Sequence, residues 1–227
     1  MKATLFMLVC GFTATGSLFA GTATVTFTGP NGQQDSYGNY ISPYYGTVNG
    51  SNATLYCDDF ANYVTDGETW TANVTNLADS AEVLTQTRYG GLDQTLQTQG
   101  GGTQSYDGQQ LYEMAAYLST QFDSNATDDG NIQDTIWDLF NPNAGNSSEP
   151  GPIPSTEAYL YAAEQNYGSI NAANFEILTQ VNNPGLTGGI QEFIVATPEP
   201  SSMLMLGCGL MFVSAIVYRR RKANPNI

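Results

Sequence analysis

The chain has 227 residues and a formal net charge of −15, with 21 acidic residues, six basic residues and no histidine. Without an imidazole there is no Ser-His-Asp triad, no Cys-His dyad and no usual zinc site, so most hydrolase mechanisms are excluded. Between residues 21 and 196 the imbalance is steeper, because twenty acidic residues face one cation, Arg88, for a net of −19. Such a surface repels nucleic acid and anionic lipid, and favours solubility or cation binding.

Taken in order, the chain opens on Lys2, an apolar run from Ala3 to Phe12 and the small-residue end Gly16-Ser17-Leu18-Phe19-Ala20. This is the pattern of a secretory signal peptide over residues 1–20, with Ala23 as an alternative cut. The 176 residues from 21 to 196 suffice for one exported domain burying roughly 70% of its unfolded surface. Cys10 leaves with the signal peptide and Cys208 lies in a C-terminal apolar run. Cys57 is then the domain's single thiol, so no intramolecular disulfide is expected. A lone exported thiol is open to oxidation and cross-linking, so it has to be accounted for.

Residues 23–28 alternate apolar and polar as a half-buried strand does, and Gly29-Pro30-Asn31-Gly32 ends the run in a turn. Residues 33–53, rich in Tyr, Gly, Asn and Ser, read as loop. Thr54 to Cys57 is a short strand running into Asp58-Asp59. Thr69 to Val74 alternates again, with Trp70, Ala72 and Val74 on one face. Residues 85–104 thin to Thr, Gln, Gly and Leu, and Gly100-Gly101-Gly102 suggests a mobile loop. A helix follows from Gly108 to Phe122, with Leu111, Met114, Ala115, Leu118 and Phe122 on one face. A second helix is capped by Asp128 or Asp129, carries Ile132, Ile136 and Leu139, and stops at Asn141-Pro142. After a Pro/Gly/Ser-rich connector from Asn143 to Pro154, Ser155 or Thr156 caps a third helix that ends at Gly168. Residues 174–181 and 189–196 read as strands around a turn at Asn183-Pro184-Gly185. The expected fold is α+β, a single domain of antiparallel β-sheet or sandwich with an inserted bundle of about three helices.

Several clusters carry residue types that could do chemistry. Asp123 to Asp134 spaces oxygen ligands as a calcium loop does, but it has Asp128 where that loop needs Gly and Asp134 where it needs Glu, so no metal is expected. Asp58 and Asp59 are adjacent, and adjacent strand residues point to opposite faces. Trp70 and Trp137 could stack on carbohydrate, although such residues more often serve the core. Tyr56-Cys57-Asp58 ends a strand, and Ile132-Gln133-Asp134-Thr135-Ile136-Trp137 opens a helix. From Leu55 to Phe140 these two elements resemble the halves of the bacterial surface thioester domains. In that family a Tyr-Cys element and a Thr-Gln-x-Ala element, commonly followed by Ile-Trp, carry a Cys and a Gln joined as an internal thioester. The resemblance implies Cys57 and Gln133 as the bonded pair, and this chain departs from the pattern at Ile132 and Thr135.

The chain closes on Pro198-Glu199-Pro200-Ser201-Ser202, an uncharged apolar run of 16 residues from Met203 to Tyr218, and Arg219-Arg220-Arg221-Lys222. A helix needs roughly 17–25 apolar residues to span a membrane, so this run just spans with the help of the preceding serines, and the four cations hold its far end in the cytoplasm. The order of motif, helix and basic end over residues 197–227 resembles the PEP-CTERM sorting tail of bacteria. It implies Pro198-Glu199-Pro200 as the sorting motif recognised by an exosortase-type processing protease, a membrane anchor over 203–218 before processing, and delivery to the cell surface or extracellular polymer. The expected protein is exported and non-enzymatic, without catalytic residues or cofactor. Its expected work is attachment or matrix assembly through an extracellular polymer or a surface nucleophile, with no nucleic-acid partner. The alternatives are an exported carbohydrate-binding module and a secreted hydrolase using two carboxylates.

Overall fold

The alternation near the start of the domain builds the first wall of a barrel. In the computed structural model, which describes residues 21–141, 154–181 and 188–197, strand β1 runs over Gly21–Pro30 and buries Ala23, Val25 and Phe27 on one face. It pairs antiparallel with β2 (Tyr44–Val48) on one side and β4 (Thr69–Asn76) on the other. The remaining strands are β3 (Ser51–Cys57), β7 (Phe175–Gln180) and β8 (Phe193–Ala196), and every pairing is antiparallel. The order β1-β2-β3-β8-β7-β4 closes on itself, which removes the exposed edges a sheet would otherwise have to protect.

Between β4 and β7 the chain inserts its helices, so the fold is α+β as the sequence implies. The insert comprises α1 (Ser80–Gln86), a hairpin of β5 (Asp93–Gln97) and β6 (Thr103–Asp107), α2 (Gly108–Ser119), α3 (Ala126–Phe140) and α4 (Pro154–Asn166). Helices α2, α3 and α4 contact one another pairwise. The described residues belong to one compact unit, residues 19–197. The signal peptide, most of the 143–154 connector, the turn at Asn183-Pro184-Gly185 and the tail from Pro198 with its 203–218 helix lie outside the described residues.

Residue parity decides which face each strand residue serves. On β8, Phe193 and Val195 point into the barrel, where Phe27, Leu55, Trp70 and Leu178 meet them. Ile194 and its β7 partner Ile177 point outward and join Leu111, Met114, Ile132 and Ile136 in a second core beneath the helices. The wall β7–β8 is therefore buried on both faces, unlike the half-exposed β1.

Several boundaries differ from the sequence reading. Residues 33–53 contain β2 and the start of β3, joined by Asn49-Gly50 with φ values of 50° and 80°. An Asn-Gly pair of that conformation is the two-residue turn whose twist matches antiparallel strands. Residues 85–104 hold most of the β5–β6 hairpin, with Gly100 and Gly101 at its tip, so those glycines mark a turn. Helix α2 begins with a capping box between Asp107 and Gln110 and ends at Ser119, three residues early, where the Thr120 N–H closes the last turn. Helix α3 is capped by Asn125, which places Asp128 and Asp129 inside its first turn. Helix α4 starts at Pro154, ahead of the expected Ser155 or Thr156, and β8 is shorter than the expected 189–196 strand.

Gly46 on β2 is required by space. A Cβ there would lie 2.6 Å from the Thr26 carbonyl oxygen and 2.8 Å from Leu55 Cδ1. Gly46→Ala is expected to force β1, β2 and β3 apart and cost about 1–3 kcal/mol. Urea unfolding monitored by circular dichroism would read this as a lower midpoint, and an unchanged midpoint would contradict the packing.

Candidate functional site

Three residues from three parts of the chain close a buried ring of hydrogen bonds. Cys57, the last residue of β3, donates its backbone N–H to Ser42 Oγ at 2.9 Å. Ser42 donates its own backbone N–H to Gln133 Oε1 at 3.0 Å. Gln133, on α3, donates Nε2 to the Cys57 carbonyl oxygen at 2.8 Å. All three residues have no solvent exposure. The structure thus brings Cys57 and Gln133 together across 76 residues of sequence.

Local structure explains how each member is held. Asp35 accepts from the Tyr37 and Asn39 backbone N–H groups, both at 2.8 Å, and from Asn39 Nδ2 at 2.7 Å, tightening the segment that leads to Ser42. The Asp134 carboxyl, next to Gln133 on α3, interacts with that of Asp35 in the same segment. Gln133 and Trp137 are four residues apart and share a helical face. Ile132, Ile136 and Leu139 serve the helical core, whereas Trp137 joins the barrel core. Its indole Nε1 donates to Cys57 Sγ at 3.5 Å, and Sγ itself donates to the Asp59 carbonyl oxygen at 3.4 Å. Burial pushes the Cys57 thiol well above its ordinary value; the Trp137 hydrogen bond opposes this, and the Asp59 and Asp58 carboxylates add to it. An unbonded sulfur here is therefore held as a neutral thiol.

The arrangement has a defined chemical capacity. A carbonyl oxygen already receiving a backbone N–H is polarised toward attack at its carbon, as in an oxyanion hole. Ser42 was missed in the sequence because its backbone does this work, and backbone amides leave no residue-type signature. Outside the ring, Trp137 forms part of the floor of a cleft of about 580 Å³ that Tyr40, Tyr44, Phe60 and Tyr63 also line. The Phe60 ring lies 5.0 Å from that of Trp137.

A second buried cluster lies on the outer face of β7–β8. Arg88 Nε pairs with Asp59 Oδ2 at 3.0 Å, and both side chains are fully buried. Asp59 also accepts from Tyr89 and from Asn62. Glu192 accepts from the Arg88 backbone N–H at 2.9 Å and from the Tyr112 and Thr179 hydroxyls. Asp58 is buried with both carboxyl oxygens unpartnered among the described residues. One guanidinium cannot neutralise three buried carboxylates, so the remaining groups keep protons. Burial pushes Asp58 well above its ordinary range, helped by Glu192 and Asp59. Glu192 is pushed up to about 7 by burial, against its hydrogen bonds and Arg88. Arg88 stands out in the sequence as the domain's lone cation, but no local pattern places it in this cluster.

The other acidic and aromatic candidates make contacts within the fold. In the 123–134 segment, Asp123 accepts from the Asn125 N–H, Asp129 from the Asp123 N–H, and Asp128 from Asn125 Nδ2 and the Tyr159 hydroxyl. Among the described residues no group of three or more His, Cys, Asp or Glu side chains could hold a metal ion. Trp70 is barrel core at 6% exposure and offers no stacking face. Asp66 is the one carboxylate among the residues lining the cleft.

Residues 196–222 match the family of the PEP-CTERM protein-sorting motif. The motif marks an exported chain, anchored by its C-terminus until an exosortase processes it, and destined for the cell surface or the exterior. No curated protein and no solved structure matches the chain. Among the described residues no helix is long and apolar enough to cross a membrane, and the 203–218 run lies outside them.

Folded, Glu192 and Asp134 titrate near 7, against ordinary values of 4.5 and 3.8. Burial is the leading cause for both, with Asp35 and Asp138 adding to Asp134. Between the ordinary values and about 7 the folded state holds protons that the unfolded chain releases, so stability falls as pH rises through that window. The melting temperature is expected to be higher at pH 5 than at pH 8. A curve that rises toward pH 8 would contradict the buried protonated carboxyls.

Proposed function

We propose that Cys57 and Gln133 join as an internal thioester and that the exported domain uses it for covalent attachment at the cell surface or in an extracellular matrix. One observation carries the reading: the Gln133 amide is gripped at both its nitrogen and its oxygen beside Cys57, in a site with no solvent exposure. The Cys57 sulfur attacks the Gln133 amide carbon, a carbon–sulfur bond forms and the carbon–nitrogen bond breaks. The thiol proton leaves with the amide nitrogen as ammonia. The Ser42 N–H stabilises the charge developing on Oε1, and the Trp137 N–H supports the sulfur as its proton departs. A thioester is neutral, so the burial that disfavours a thiolate does not disfavour the product. The dry surroundings also keep water from the bond.

Attachment follows when an amine or hydroxyl of a partner attacks the Gln133 carbonyl. An amide or ester forms, and the Cys57 thiol is released. The exported domain carries no Lys and no His, so it has no side-chain amine or imidazole of its own to open the bond. Each molecule reacts once, which makes the protein an attachment module rather than an enzyme. Export by the sorting motif places it where extracellular polymers and surface nucleophiles are available.

The intact mass of the exported protein is expected to be one ammonia below the sum of its residues, and Cys57→Ala should restore that ammonia. Methylamine treatment should add one methylamine and expose a thiol. A full mass, with Cys57 alkylated on denaturation without prior amine, would reject the bond.

A further inference from the structure

The cleft over Trp137 has a composition that the attachment chemistry does not explain. Tyr40 and Tyr63 are 52% and 83% exposed, although an aromatic ring ordinarily gains by burial. Both line the same cleft as Phe60 and Trp137. The cleft's volume of about 580 Å³ falls within the ~300–1,000 Å³ usual for small-ligand sites. Interleaved with the rings are hydrogen-bonding side chains, Asn39, Thr65, Asp66 and Gln191, and the lining contains no cation.

We propose that this cleft binds a neutral glycan, with pyranose rings stacked on Tyr40 and Tyr63 and hydroxyls bonded by the polar residues between them. The C–H face of a sugar ring is apolar and slightly positive, which suits the negative face of an aromatic ring. Its hydroxyls need donors and acceptors at the same spacing, and amide, hydroxyl and carboxylate groups supply them. Charge selects among glycans. Asp66 in the cleft and a domain of net −19 repel uronate, sulfate and phosphate polymers, and leave neutral ones admitted. The fused apolar surface of Trp70 takes no part, because it lies inside the barrel. This glycan site does not depend on the thioester. It lies on the outer side of Trp137, whose indole N–H contacts Cys57 Sγ, so a bound polymer would be held next to the proposed bond.

The test is titration of the exported protein with cellohexaose, laminarihexaose and the N-acetylglucosamine hexamer, followed by calorimetry and tryptophan fluorescence, with oligogalacturonate as the acidic comparator. At least one neutral hexamer is expected to bind and to change Trp137 emission. Tyr40→Ala and Tyr63→Ala, both at exposed positions, should each weaken binding about tenfold with circular dichroism unchanged. Protein whose proposed bond has been opened with methylamine should bind as the untreated protein does, so loss of the bond and loss of the cleft read separately. Absence of binding to all three neutral hexamers, affinity unchanged in the tyrosine variants, or preference for oligogalacturonate would each overturn the proposal.

Discussion

The ring of hydrogen bonds through Cys57, Ser42 and Gln133 is the constraint on which this end of the domain depends. It ties α3 to the end of β3 and to the segment before β2, which sequence distance alone would leave independent. Each of its donors and acceptors is buried, so removing one partner strands another at a cost of about 1–3 kcal/mol. Trp137 is positioned by the same helix turn, and Trp137 in turn closes the barrel core and floors the cleft. Barrel packing, the sulfur's surroundings and the aromatic cleft therefore share one anchor.

A second constraint is charge. The domain has one cation, and it is buried against Asp59 and beside Glu192, leaving the surface wholly anionic. A buried ion pair of this kind is weak as a source of stability, because desolvation offsets most of the attraction. Its effect is positional: Arg88 bonds the Ile190 carbonyl, and the Glu192 N–H reaches Asp59, so the chain entering β8 is fixed to the chain leaving β3. Those two strands pair only at Tyr56↔Ile194 and Cys57↔Phe193, which gives the polar cluster a clear part in closing the barrel next to Cys57.

Much of this was readable in the sequence where one physical rule dominated. The three-and-four spacing along α2 gave its buried face, and the alternation of Trp70, Ala72 and Val74 gave the barrel-facing side of β4. The same alternation already argued that Trp70 belongs to the core. What escaped was set by pairing and closure. Asn49-Gly50 is a hairpin dipeptide, but with the surrounding Tyr, Gly and Ser it reads as loop and hides β2, whose register rests on Gly46 fitting under Leu55. The glycines at 100–102 read as a loop because β5 and β6 are polar strands with only Leu96 and Tyr106 buried. Ser42 and Arg88 were invisible for different reasons, one acting through its backbone and the other placed by tertiary contact.

The proposed thioester requires that Gln133 is not an amide in the mature protein, and its side-chain nitrogen can be observed directly. In a nitrogen-15 correlation spectrum of the folded domain, the side-chain NH₂ pair of Gln133 should be missing. It should appear in Cys57→Ala as a slowly exchanging pair, since Nε2 is buried and bonded to the residue-57 carbonyl. A protected Gln133 NH₂ pair in the unsubstituted protein would contradict the account and leave Cys57 as a buried core thiol.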